Sequence, residues 1–258
     1  WFSSQEQMFT VQYLNDLASE NQLSPGNIFT DSKLEEFESL LQSSYVDAGF
    51  YNLDLSTEVK IDNQNRVGIL IKLIQGKRAK ITSLSVSGSN HFSEDELLKE
   101  FPIGKADFFI MNYFTNKDDF NEEAFRDGLQ KITNLYFDSG YLDFKINRVD
   151  KNLNDDKDEL SIIIDISEGI QYKLGNISIE GELGSLSEDD VISNLQIESG
   201  EIFNRNLVIS DIQKLTDLFA DQGYAFVDIN PVTSDFLDTI NINYIISLNK
   251  KVYVNRIS

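Results

Sequence analysis

Three helices of one length are written into this chain by their ends. Thr30, Asn121 and Asn204 each carry a side-chain oxygen that can accept the first free N–H groups of a helix. Each stands nineteen residues ahead of a glycine: Gly49, Gly140 and Gly223. Glycine stops a helix because it enters the left-handed region without a Cβ clash. Each stop lies in the same pattern, aromatic-x-Asp-x-Gly-aromatic, at Tyr45–Phe50, Tyr136–Tyr141 and Phe219–Tyr224. A phenylalanine precedes each cap (Phe29, Phe120, Phe203), and an apolar residue follows four positions later (Leu34, Phe125, Val208), the arrangement of a hydrophobic staple. Helical spacing then predicts the buried faces: Leu34, Phe37, Leu41 and Tyr45; Phe125, Leu129, Ile132 and Tyr136; Val208, Ile212, Leu215 and Phe219. The glycines lie 91 and then 83 residues apart, so the chain reads as a tandem repeat.

Each glycine is followed by a strand pair. In the middle copy, Tyr141 to Val149 leads to the polar tip Asn152–Asp158 and then to the alternating strand Leu160, Ile162, Ile164, Ile166. The first copy has the tip Asp62–Asn65 and the strand Val67–Ile74; the third has the tip Asp235–Asp238 and the strand Ile240–Ile246. The second strand of each pair is the more apolar, which places it centrally in its sheet. Before the long helix come an earlier strand (Leu84–Gly88, Ile177–Gly181) and a short helix opened by Ser93 or Ser187. The unit is β-α-α-β-β, and the fold class is α+β. The expected repeats are 1–76, lacking its first strand; 77–169, with an insertion; 170–249; and 250–258, the first strand of a further unit. In the first repeat Ser3-Ser4-Gln5-Glu6 reads as the first helix start, so the chain is expected to be cut from a longer array.

Charge and composition exclude several functions. Among 258 residues, 22 Lys and Arg face 43 Asp and Glu, a formal charge of −21. That field repels nucleic acid and anionic membrane surfaces. Lys77, Arg78 and Lys80 are too few to reverse it and read as a solvated linker. There is no cysteine, hence no disulfide or thiolate metal site, and the single His91 cannot build a multi-histidine site. No apolar run has the length of a transmembrane helix. Asn152, Asn154, Asp156 and Asp158 alternate like a calcium loop, but Lys157 stands where that loop needs glycine and its closing Glu is missing. Asp189-Asp190 lie in a helix first turn, where capping and the helix dipole account for them. No convergent catalytic set is visible, so an acid-dependent hydrolase is disfavoured, and no metal or cofactor is expected.

The tandem β-α-α-β-β unit resembles the polypeptide-transport-associated (POTRA) domain. The middle and third copies are similar to the arms of the bacterial outer-membrane β-barrel assembly factors. The residues that carry the likeness are Lys80–Gly88, Asp143–Ile146 after Gly140-Tyr141, Ser167–Leu174, Gly200–Asn204 and Gly223–Ala225. It covers nearly the whole chain and is weakest over Trp1–Gln22. By analogy the copies correspond to the second, third and fourth such domains and the start of the fifth. The resemblance implies a scaffold rather than an enzyme: a periplasmic arm at the outer membrane, joined to a C-terminal membrane barrel. Its implied partners are accessory lipoproteins and unfolded outer-membrane proteins, with no nucleic acid. The alternative is the arm of another outer-membrane translocator, such as a two-partner secretion transporter. The resemblance also implies sheets with the first and second strands at the edges and the third in the centre, and a docking edge on the second strand.

Two surfaces follow. The first is the edge strand Leu142, Asp143, Phe144, Lys145, Ile146, Asn147, Arg148 and Val149. An edge offers unpaired N–H and C=O groups to an extended peptide, and its two cations discourage permanent edge-to-edge association. The plain alternative is an ordinary solvated edge. The second is an insertion. Gly26–Phe29 and Gly200–Phe203 are three residues apart, whereas Gly104–Phe120 is sixteen apart, and the extra stretch holds Phe108, Phe109, Tyr113 and Phe114. Such an aromatic loop either makes contacts or folds back on its own domain.

Overall fold

A helix that begins with an oxygen cap and ends in a left-handed glycine satisfies its own terminal backbone groups, and this chain does so repeatedly. The computed structural model describes residues 8–105 and 117–251. Its elements are α1 (Val11–Glu20), α2 (Asp31–Asp47), β1 (Asp54–Ile61), β2 (Val67–Ile74), β3 (Lys80–Ser87), α3 (Glu94–Lys99), α4 (Glu122–Asp138), β4 (Lys145–Leu153), β5 (Glu159–Ser167), β6 (Lys173–Gly181), α5 (Glu188–Ile192), α6 (Arg205–Asp221), β7 (Val227–Phe236) and β8 (Thr239–Leu248).

Helices α2, α4 and α6 each have 17 residues. The side chains of Thr30, Asn121 and Asn204 accept the N–H groups of Lys33, Ala124 and Leu207 at 3.4, 2.8 and 3.0 Å. Gly49, Gly140 and Gly223 have φ of 91°, 86° and 93°. The residue after each glycine donates its N–H to the carbonyl five positions back: Phe50 to Tyr45, Tyr141 to Tyr136, Tyr224 to Phe219, at 2.8, 2.9 and 3.1 Å. This is a Schellman stop, which brings the residue after the glycine back over the last turn. The aromatic pairs follow from it, with ring centroids 5.9 Å apart for Tyr45–Phe50 and 5.7 Å for Tyr136–Tyr141. The short helices α3 and α5 open with capping boxes, Ser93 with Glu96 and Ser187 with Asp190.

The sheets have the orders β1-β2, β3-β5-β4 and β6-β8-β7. β3 pairs with β5, and β6 with β8, in parallel; β7 pairs with β8 antiparallel. β5 and β8 are therefore central, as their apolar sequences require. The middle and third repeats are β-α-α-β-β with mixed three-stranded sheets. In the first, β2 has only β1 beside it among the described residues. The expected helix start at Ser3–Glu6 lies outside the described residues; the first described helix begins at Val11, capped by Thr10. The strand expected in 250–258 lies almost wholly outside them too.

The chain divides into two compact units, 1–87 with 92–130 and 148–165, and 88–91 with 131–147 and 166–258. The division runs through the middle repeat. In the first unit Phe37, Leu41, Tyr45, Ala48 and Phe50 form a buried cluster. In the second, Leu174, Val191, Leu215, Phe219, Ile242 and Tyr244 are among the buried residues of a larger core.

Candidate edge-strand docking site

Four outer strands bound the two complete sheets, and three of them have edges that are occupied or interrupted. On β3, the N–H of Ile81 donates to Asp118 at 2.7 Å and that of Val86 to the Glu94 carboxylate at 3.0 Å. On β6, the N–H of Leu174 donates to Glu201 at 2.7 Å. β7 carries Pro231, which has no N–H to offer. The fourth outer strand is β4. It contains no proline, and among the described residues no further strand pairs beyond it.

The eight residues read as the edge do not all lie in it. Leu142 and Asp143 form a turn, closed by Phe144 N–H on Tyr141 C=O at 3.2 Å. Leu142 packs against the core of the third repeat, and Asp143 accepts a hydrogen bond from the Tyr172 hydroxyl at 2.9 Å. Phe144 is buried, its ring stacked 4.2 Å from that of Tyr136. The helix stop needs this turn before a strand can start, and the turn carries Phe144 inward over the helix end. Lys145, Ile146, Asn147, Arg148 and Val149 are in β4, which continues to Leu153. The polar tip is accordingly shorter than expected. Asn154 Oδ1 accepts from the N–H groups of Asp158 and Glu159 at 3.0 and 3.1 Å and so closes the hairpin.

Within β4 the cations have distinct roles. Lys145 is exposed, and Arg148 is exposed and pairs with Asp150 at 2.9 Å. Lys151 pairs with Glu122 and lies 5.0 and 4.9 Å from the ring centres of Phe120 and Phe125. That bond ties the far half of the strand to the start of α4. Asn147 donates to the Ser167 hydroxyl at 2.8 Å. The aromatic residues Phe108, Phe109, Tyr113 and Phe114 lie outside the described residues.

Two features behind the strand escaped the sequence reading. Glu168 is 9% exposed. Burial alone would raise its pKa, but the N–H groups of His91 and Asn90, both at 2.8 Å, and the Tyr136 hydroxyl at 2.8 Å outweigh it and hold the carboxyl below its ordinary value. The only signal was Ser167-Glu168-Gly169 directly after an apolar strand. Arg78, read as part of a solvated linker, instead donates from Nε to the carbonyls of Ala48 at 2.7 Å and Phe120 at 3.1 Å. Lys80 pairs with Asp119 at 2.5 Å and Asp118 at 3.1 Å. The linker cations are consumed by backbone oxygens and carboxylates supplied by sequence-distant segments.

Comparison with known proteins agrees with this architecture. The POTRA family, described as a surface antigen variable number repeat, matches residues 11–76, 79–169 and 172–248. The outer membrane protein assembly factor BamA of Neisseria meningitidis is 26% identical over 237 residues, covering 91% of this chain and 30% of that protein. BamA of Buchnera aphidicola is 27% identical over 248 residues, covering 95% and 39%. The chain thus spans about a third of the length of these relatives. The crystal structure of Haemophilus influenzae BamA POTRA3-5 superposes with a TM-score of 0.52 at 16% identity, over 93% of this chain and 92% of that one. With three consecutive matches spanning most of its length, the chain belongs to the POTRA family.

Proposed function

We propose that this chain is a periplasmic scaffold arm of an outer-membrane β-barrel assembly machinery. In this reading it performs no catalysis, and it binds accessory lipoproteins and unfolded outer-membrane proteins by adding their strands to β4. Its working repeats are 1–76, 77–169 and 170–249, with 250–258 opening another. The relatives' name, outer membrane protein assembly factor, supports the setting. No helix among the described residues is long and apolar enough to cross a membrane. The observation that carries the docking role is the sheet order β3-β5-β4, which leaves β4 as a proline-free outer strand, whereas β3 and β6 each spend edge N–H groups on local partners and β7 carries Pro231. Backbone pairing of this kind tolerates many sequences, as a scaffold for varied clients requires.

Along an edge strand successive N–H groups alternate between the neighbouring strand and the open side. Of the variants Lys145→Pro and Ile146→Pro, one removes an outward donor and the other an inward one. The outward variant keeps its thermal melt and loses binding of a strand-forming peptide in a pull-down. If the variant that stays folded binds as well as the wild type, the docking role of β4 is wrong.

A further inference from the structure

The hairpin tips of the first two repeats are polar. Asp62 accepts from the N–H groups of Gln64 and Arg66, both at 2.9 Å, and the left-handed residue there is Asn65 at φ 59°. In the middle repeat that residue is Lys157 at φ 53°. The third repeat differs. Its turn is Phe236-Leu237-Asp238-Thr239, with Phe236 paired to Thr239. Leu237 adopts φ 58° and is 76% exposed; Phe236 is 70% exposed. Leucine is poorly suited to this conformation, where asparagine or glycine would sit with little strain. Neither side chain is buried, and among the described residues no packing compensates for placing them there.

The position of the tip is fixed. Asp238 C=O accepts the N–H of Lys173, the first residue of β6, at 2.8 Å. One residue earlier, the Tyr172 hydroxyl donates to Asp143. That bond foremost, with the nearby charge of Asp235, raises the pKa of the phenol. Asp143 lies two residues before β4. The tip therefore stands at the junction where the edge strand begins, among the carboxylates of Asp143, Asp235 and Asp238. Those charges, and the net −21, oppose contact with an anionic lipid surface.

We infer that Phe236 and Leu237 form an apolar end-stop for the docking edge: a client strand paired along β4 places a large apolar residue against them and a basic residue beside the three carboxylates. This rests on β4 being the docking edge. The test uses the 258-residue chain and two synthetic ten-residue peptides of alternating Val and Thr, one carrying Leu-Lys at both ends and the other Ser-Ser. Fluorescence anisotropy should give about tenfold tighter binding of the Leu-Lys peptide. Leu237→Gly and Phe236→Ser abolish that preference and leave the Ser-Ser peptide unchanged. Leu237→Gly keeps or raises the melting temperature, because glycine relieves the left-handed strain. A preference that survives both tip variants overturns the end-stop while β4 stands. Unchanged binding of both peptides by the folded β4 proline variant overturns the β4 reading instead. Loss of adsorption to phosphatidylethanolamine–phosphatidylglycerol vesicles by Leu237→Gly, with peptide preference intact, makes the tip a lipid contact and overturns the end-stop.

Discussion

Gly140 meets two demands at one position. Its φ of 86° closes the Schellman stop, and a Cβ built there would lie 2.8 Å from the carbonyl oxygen of Tyr172. Gly200 has φ 92° but nothing within 4 Å of its Cβ position. Gly200→Ala should therefore cost about 1 kcal/mol for conformation alone, and Gly140→Ala about 2–3 kcal/mol; denaturant melts of the two variants separate the terms. Glu168 is held by pairing instead. Its folded pKa is depressed, so its contribution to stability is complete above the unfolded value of about 4.3 and is lost as pH falls through the folded value. Glu168→Gln should be about 1–3 kcal/mol less stable at pH 7. Its melting temperature should also fall less steeply than the wild type's as pH drops below about 4.3. Parallel profiles for the two proteins would show that the carboxylate does not carry this linkage.

At the scale of an element, the long helices answer one question in three ways. The seventh helical residue faces the core in each. In α2 it is Phe37, which fills its own space. In α4 it is Gly128, and a Cβ there would meet the Phe101 ring at 2.1 Å. In α6 it is Asp211, 0% exposed, accepting the N–H groups of Gln196 at 2.7 Å and Ile197 at 3.1 Å. Helical periodicity assigned this face to Leu129 and Ile212, which are only half-buried, because it counts apolar letters and passes over a glycine or an aspartate. Gly128→Ala raises helix propensity by about 1 kcal/mol yet should destabilise by about 2 kcal/mol net through overpacking. Adding Phe101→Leu should recover part of that loss in a thermal melt, and additivity of the two changes would refute the contact. β4 shows the same limit. Its two cations were legible, but its first three assigned residues belong to a turn and a core.

Across the whole molecule one junction recurs. The N–H of Ala79 donates to Gly49 C=O at 2.9 Å, and that of Phe120 to Ala79 C=O at 3.0 Å. Tyr172 repeats this with Gly140 and Phe203, at 2.8 and 3.0 Å. Gly49 and Gly140 are thus each both a helix stop and the point where the next repeat is fastened. At the first junction Arg78 adds two carbonyl contacts, and Arg78→Ala leaves both carbonyls without that donor. Amide exchange at Ala79 and Phe120 should then speed up about tenfold, with β8 amides unchanged; equal exchange would show that Arg78 does not hold the joint. The sequence by itself determined the repeat, the helix lengths, the caps and stops and which strand of each pair is the more apolar, because each depends on residues within a few turns of one another. The tertiary structure alone decided which edges are capped, where Arg78 binds and what surrounds Glu168. Those contacts join residues 42 and 78 positions apart, and no local pattern encodes a partner at that distance.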